Sequence, residues 1–351
     1  MTTDDIKSIR QDLAVLSNKH SRSAPKPQDK KIKVSFSNKD LMIYSKDRRQ
    51  PIRPVLSGKK LRKVLKKIIP SQVEAIRTHL VNLDLCFGDL FTLACKCENC
   101  EFLAIGQTCD STDCNQGIVK GLEMSLKRLS RLMSIDIRDT CLGEGGRQVL
   151  SALSCAHLRV LTLHNNGLKG CGPQLAACLT RLPLLAWLSL NNSGLTGEEM
   201  PSVLHSLAAN CPQLVALLLG ADLSQAGEAL TRAVQAKSRL KILDVAWCKL
   251  DSGHLGNALK GISADIEYLH IWGNPVFMDV ETELVRVIEQ RPSLRYVAVD
   301  ETRVSAGAWD RMESVLRARR GHLYVSIPGS DEFKRDVEYL AKIRDECLLQ
   351  A

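Results

Sequence analysis

The strongest constraint on this chain is a pattern that keeps returning, L-x-x-L-x-L-x-x-N/C-x-L. It is clearest in LRVLTLHNNGL, where Leu158, Leu161, Leu163, Asn166 and Leu168 take the required places. LAWLSLNNSGL repeats it from Leu185 with Ser193 at the Asn position, LKILDVAWCKL from Leu240 with Cys248, and IEYLHIWGNPV from Ile266 with Asn274. Weaker copies begin at Leu132, Leu214 and Leu294; an earlier one begins at Leu80 with Gly88 at the Asn position, and a degenerate one at Cys100. From Leu132 onward the starts advance by 26 to 29 residues. One such unit cannot bury its leucines alone, so the copies have to stack, and the two ends have to be covered.

Between the leucine strands lie GEEMPSVLHSLAANCP, SQAGEALTRAVQAKSR and DVETELVRVIEQRP, whose apolar residues recur at spacings of three and four. That period predicts a helix in each repeat. The chain therefore alternates strand and helix over residues 80–328, and here it resembles the leucine-rich repeat family, in its long ribonuclease-inhibitor-like class. The resemblance implies an α/β horseshoe solenoid, with parallel strands on a concave face and helices on a convex one. Downstream, HLYVSIPG offers a last strand. SDEFKRDVEYLAKIRDECLLQA is an amphipathic helix with Phe333, Val337, Leu340 and Ile343 on one face, expected to form a C-terminal helical cap over 329–351.

Ahead of the repeats the composition changes. Residues 1–79 hold 20 Lys and Arg against 7 Asp and Glu in a chain of net charge +9, so the remainder is slightly acidic. Residues 1–31 are expected to be a disorder-prone tail and residues 32–79 a basic module that caps the first repeat. No secretory signal pattern opens the sequence, and no apolar run reaches the ~18 residues that span a membrane. A cytoplasmic or nuclear protein is expected. Its thirteen cysteines, scattered and often set in apolar runs, are expected to be reduced thiols.

Within the basic module, IKVSFSNKDLMIYS has two readings. Ile32, Val34 and Phe36 alternate ahead of a Ser-Asn-Lys-Asp turn, which predicts a hairpin. Lys33-Val34-Ser35-Phe36 also resembles the docking motif of protein phosphatase 1 regulatory subunits. That resemblance implies that Lys33, Val34 and Phe36 dock as an added strand, with Val34 and Phe36 filling two pockets.

In the leucine-rich repeat family, template positions 3, 5 and 7 face outward on the concave side. Those positions collect two of the chain's four Trp and two of its five Tyr, with Trp247 one place beyond. Aromatic side chains dominate interface hot spots. The expected partner-binding residues are Trp187, Ile242, Trp247, Tyr268, His270, Trp272 and Tyr296; the alternative is that the rings pack on one another or on the cap. The expected function is that of a non-enzymatic interaction scaffold, a monomer by itself, binding a protein partner. A phosphatase 1 targeting subunit is the alternative reading. WDRMESVLRARRGHLYVSI is similar to the closing helix and strand of the melanoma-antigen-related repeat proteins, which implies a substrate receptor for a cullin ubiquitin ligase; residues 1–79 carry no clear ligase-binding box.

Cys95, Cys97, Cys100, Cys109 and Cys114 crowd with C-x-C-x2-C-x8-C-x4-C spacing. Four thiolates in a tetrahedron hold zinc, but Cys100 also opens the degenerate repeat as an inward residue, and structural thiols without a metal are the expectation. Phosphate-binding, zinc-protease, nucleophile-elbow and dinucleotide signatures are missing. No enzyme activity and no cofactor are expected. The basic run GKKLRKVLKK has no interleaved aromatics for base stacking, so nucleic acid is not the expected partner.

Overall fold

The computed structural model describes residues 32–37, 40–45, 65–66, 70–79, 87–106, 112–274, 278–299, 304–324 and 331–349. They fall into two compact units, one ending at Leu214 and the other beginning at Val215.

The first unit holds strands β1 (Ile32–Ser37), β2 (Asp40–Ser45), β3 (Val73–His79), β4 (Phe102–Gly106), β5 (Ser134–Arg138), β6 (Val160–Thr162) and β7 (Trp187–Ser189). Its helices are α1 (Phe87–Ala94), α2 (Thr112–Leu126), α3 (Gly146–Ala152), α4 (Gly172–Leu179) and α5 (Met200–Asn210). β1 pairs antiparallel with β2 and parallel with β3, and from β3 to β7 every ladder is parallel. The second unit comprises β8 (Ala216–Leu218), α6 (Gly227–Gln235), β9 (Ile242–Asp244), α7 (Ser252–Lys260), β10 (Tyr268–His270), α8 (Met278–Gln290), β11 (Tyr296–Ala298), α9 (Ala306–Ala318), β12 (His322–Tyr324) and α10 (Asp331–Leu349). Its strands run parallel in the order β8-β9-β10-β11-β12.

Each unit is thus an α/β leucine-rich repeat array, and the template accounts for what is buried. Leu158, Leu161, Leu163 and Leu168 are wholly inaccessible, and so are Leu185, Leu188 and Leu190 in the next copy. Burial of one such side chain contributes about 1.5–3 kcal/mol relative to leaving it exposed. In-register pairing of Leu161 with Leu188 and of Leu243 with Leu269 stacks the copies into one core per unit.

The ninth template position does separate work. Asn166 is fully buried; its Nδ2 donates to the Ile137 carbonyl at 2.8 Å, and its Oδ1 accepts from the Thr140 amide at 3.2 Å and the Thr140 hydroxyl at 2.6 Å. Asn274 donates to the carbonyls of Val245 at 2.7 Å and Ile271 at 3.0 Å, and accepts from the Leu250 amide at 3.1 Å. The Cys248 thiol donates to the Leu219 carbonyl at 2.6 Å. Apart from the Asn274 bond to Ile271 in its own repeat, each bond reaches the preceding repeat where its strand turns off, satisfying backbone that would otherwise be buried unpaired. The turn is made by left-handed residues on either side: Asn165 and Gly167 flank Asn166, and Asn192 and Gly194 flank Ser193.

At the first repeats one expectation is overturned and one holds. The strand beside β4 is β3, in register Ala75 with Phe102, and not the segment starting at Leu80. Residues 80–86 lie outside the described residues. The degenerate copy at Cys100 does form a strand, β4, with Cys100, Leu103 and Ile105 buried at positions 1, 4 and 6. Among the described residues, no helix is long and apolar enough to cross a membrane.

Replacing Asn166 with Ala strands the Ile137 carbonyl and the Thr140 amide and hydroxyl, at an expected cost of about 2–4 kcal/mol. Ser193, buried at the equivalent position, has a hydroxyl without a hydrogen-bond partner among the described residues, so Ser193→Ala should cost less than about 1 kcal/mol. Chemical denaturation of both variants measures the contrast; equal losses would mean that the ninth position acts only through packing.

Candidate functional site

The outward strand positions divide into covered and open sets. Ile242 is fully buried between its in-register neighbours Ala216 and Tyr268, and Tyr268 is only 3% exposed. Trp187, paired with Val160 in the first unit, is 5% exposed. These three, expected as contact residues on an open face, are buried in the structure.

At Tyr268 the covering element is α10. The Tyr339 ring lies 6.3 Å from Tyr268 and nearly parallel to it, and 4.7 Å from Tyr296. The Tyr339 hydroxyl donates to Glu267 Oε2 at 2.6 Å, and Lys241 Nζ reaches Glu267 Oε1 at 2.8 Å. Burial, followed by the bond to Glu267, pushes the Tyr339 phenol well up. The bond to Glu267 raises Lys241, and Glu346 of α10 adds to it. Along α10, Val337, Ile343 and Cys347 are buried, in keeping with the apolar face read from the sequence; Leu340 is half-buried, and the Phe333 side chain lies outside the described residues.

His270 is half-buried, with Nδ1 3.3 Å from Asp244 Oδ1, while that carboxylate also accepts from the Ala246 amide at 3.1 Å. Its ring meets Tyr268 edge-on at 6.3 Å. The arrangement orients the imidazole within the strand face.

Trp247 and Trp272 remain. Their rings meet edge to face at 5.1 Å, and the Trp247 amide donates to the Trp272 carbonyl at 2.8 Å. Trp272 is half-buried, whereas Trp247 is 56% exposed. The indole lies over Gly273, where an added Cβ would come within 2.5 Å of its ring. Trp247 also has φ +58°. Elsewhere, the same eighth template position is held in the left-handed region by Asp139, Asn165, Asn192 and Gly273, the residue types that tolerate it. Two places on, Lys249 likewise has positive φ and sits largely exposed, paired with Asp222 at 2.8 Å. In the sequence Trp247 stands out as an aromatic; its backbone conformation shows in the sequence only through its alignment with Asn165 and Asn192.

The cysteine cluster is built inward. Cys97 and Cys100 are fully buried, and their thiols donate to the carbonyls of Leu93 at 3.1 Å and Phe102 at 3.4 Å. Burial pushes both up to about 12, opposing the thiolate that zinc needs. Cys95 Sγ lies 3.7 Å from Ser125 Oγ. Cys109 lies outside the described residues, as does the side chain of Cys114. Among the described residues, no group of three or more His, Cys, Asp or Glu could hold a metal ion.

Lys33, Val34 and Phe36 lie on β1, whose backbone pairs with β2 on one edge and β3 on the other. A segment that docks by adding to another protein's sheet would first have to leave both neighbours.

No protein-family model matches the sequence, and comparison with curated proteins found no match. Among solved structures, the chain is similar to the leucine-rich repeat protein LegL7 of Legionella pneumophila at 14% identity, with 80% of this chain and 94% of that one covered and a TM-score of 0.46. It is similar to the yeast Rad7 and Elc1 complex structure at 15% identity, 72% and 75% coverage and a TM-score of 0.47. The tropomodulin C-terminal domain of Caenorhabditis elegans matches at 18% identity, 42% and 92% coverage and a TM-score of 0.37.

Thiol alkylation of the native protein near pH 8 should modify exposed Cys141 at least about tenfold faster than Cys97 or Cys100, since reactivity follows thiolate fraction and access. Peptide mapping measures it, and comparable rates would contradict the core placement of the cluster.

Proposed function

We propose that this chain is a non-enzymatic interaction scaffold that binds a protein partner through the exposed Trp247 indole, with Trp272 as its support. The observation that carries the reading is a residue held against its own preferences twice. A left-handed backbone costs a non-glycine residue roughly 1–2 kcal/mol, and an indole left in water forgoes the burial an aromatic ring normally finds. Asn or Gly at this position would relieve both, as in neighbouring repeats. Interface anchors are typically aromatic and pre-positioned by packing, and the edge-to-face contact with Trp272 fixes the ring before any partner arrives.

Trp247→Asn is expected to fold with stability within about 1 kcal/mol of wild type, because relief of the backbone offsets the lost aromatic pair. Affinity capture from source cells, run side by side on wild type and variant, should lose a specific protein in the variant. Titration of that purified protein should then show at least about a tenfold weaker affinity, the usual scale for an aromatic hot spot. A variant that binds the same proteins as wild type, or one that loses more than about 2 kcal/mol of stability, would make Trp247 a structural residue.

A further inference from the structure

We infer that Gly273 is a positioning residue for Trp247: by carrying no side chain at the eighth template position, it leaves the place where the indole lies flat, one face covered and the other turned outward. This rests on the anchor role proposed for Trp247 and extends it to the residue that sets the ring's direction.

Backbone conformation alone does not call for glycine at 273. Its φ of +74° lies in the left-handed region, where the equivalent residues Asp139, Asn165, Asn192 and Trp247 stand at +52°, +54°, +52° and +58°. Asn and Asp visit that region routinely. The turn is also built alike in these repeats, since the eighth-position amide donates to the seventh-position carbonyl of the next repeat: Asp139 to His164 and Asn165 to Asn191 at 3.1 Å, Trp247 to Trp272 at 2.8 Å. What distinguishes Gly273 is the space beside it. At the left-handed glycines Gly143 and Gly167 an added Cβ meets nothing within 4 Å, whereas at Gly273 it would stand 2.5 Å from Cδ2, 2.7 Å from Cε3 and 2.9 Å from Cε2 of Trp247. Cδ2–Cε2 is the bond shared by the two rings of the indole, and a point this close to it lies over the ring face. Glycine serves here for close approach.

The first unit shows what a side chain at this position does. Asn192 Nδ2 donates to Asn165 Oδ1 at 2.6 Å, and Asn165 Nδ2 donates to Asp139 Oδ1, so each reaches back over the eighth position of the preceding repeat. An Asn at 273 would reach back in the same way, toward residue 247 and into the indole. In the pair that is present the direction is reversed. Trp247 reaches forward onto Gly273, and Trp272 meets it edge to face at 5.1 Å. Contacts on a face and with a second ring restrict both torsions of the side chain, yet 56% of the residue stays exposed. A side chain ordered beforehand loses less entropy when a partner arrives. Gly273 therefore contributes to affinity through Trp247, without a contact of its own.

The full-length chain labelled with 5-fluorotryptophan gives one fluorine resonance for each of its four Trp, and Trp247→Phe identifies that of Trp247. Gly273→Asn should shift this resonance toward its value in the denatured protein by more than a linewidth, leaving those of Trp187 and Trp309 in place. A folded Gly273→Asn variant whose Trp247 resonance stays put overturns the inference. The same variant should bind the partner that Trp247→Asn loses at least about tenfold more weakly than wild type; a shifted ring with unchanged affinity overturns it as well. If Trp247→Asn loses no partner, the anchor role fails by itself, and the resonance still decides whether Gly273 seats the ring. Should Gly273→Asn fail to fold, the double variant Trp247→Asn, Gly273→Asn decides. Recovery of the folded state shows that the ring had excluded the side chain, as the inference requires; continued failure shows that the backbone requires glycine and overturns it.

Discussion

Everything in these repeats depends on how a strand gets off the sheet without leaving its backbone unpaired in the core. At the turns of the Asn166 and Cys248 repeats, the chain passes through one buried residue held between left-handed neighbours, and that residue is bonded to the repeat before it. Asn166, Asn274 and Cys248 solve the problem with different side chains, since an amide offers donor and acceptor together and a thiol only a weak donor. The leucines at positions 1, 4, 6 and 11 supply burial free energy, but they can stack in register only because this turn always leaves the sheet at the same place.

Much of this was legible in the sequence. Leucine spacing placed β5 to β11, and the period left room for helices such as α5 and α8. The start at Leu80 went astray because Leu80, Leu83 and Leu85 satisfy the spacing, whereas β3 uses Val73 and Ile76. The period itself held the warning. Counting back 27 residues from Cys100 arrives at Val73, within the interval the other copies keep, while Leu80 lies only 20 away.

The candidate site was less legible. A template states which side of a strand a residue occupies and is silent about what comes to lie there. Tyr268 and Tyr296 are covered by a tyrosine that the chain delivers from far along the sequence, and Ile242 is closed in beside Tyr268. No local pattern encodes that meeting. Trp247 was singled out for its aromatic ring, yet its significance lies in its backbone, which becomes visible only when the same position is compared across the copies.

The bonds between repeats are not symmetrical along the chain. Asn166 and Asn274 reach back to the preceding repeat, and so do arginines at the helix ends: Arg181 donates to the carbonyls of Leu150 and Leu153, Arg291 to Ile262, and Arg319 to Ile288 and Glu289. Through these side chains a repeat caps acceptors of the one made before it, beside bonds that run the other way, such as Arg147 to the Gly170 carbonyl. On a ribosome, where the N-terminal end emerges first, a repeat waits with its turn carbonyls and helix end in water until its successor arrives. The array is closed from behind as it grows. Losing the C-terminal repeat of either unit therefore exposes turn and helix-end carbonyls in the repeat that remains, which the side chains of its successor had capped.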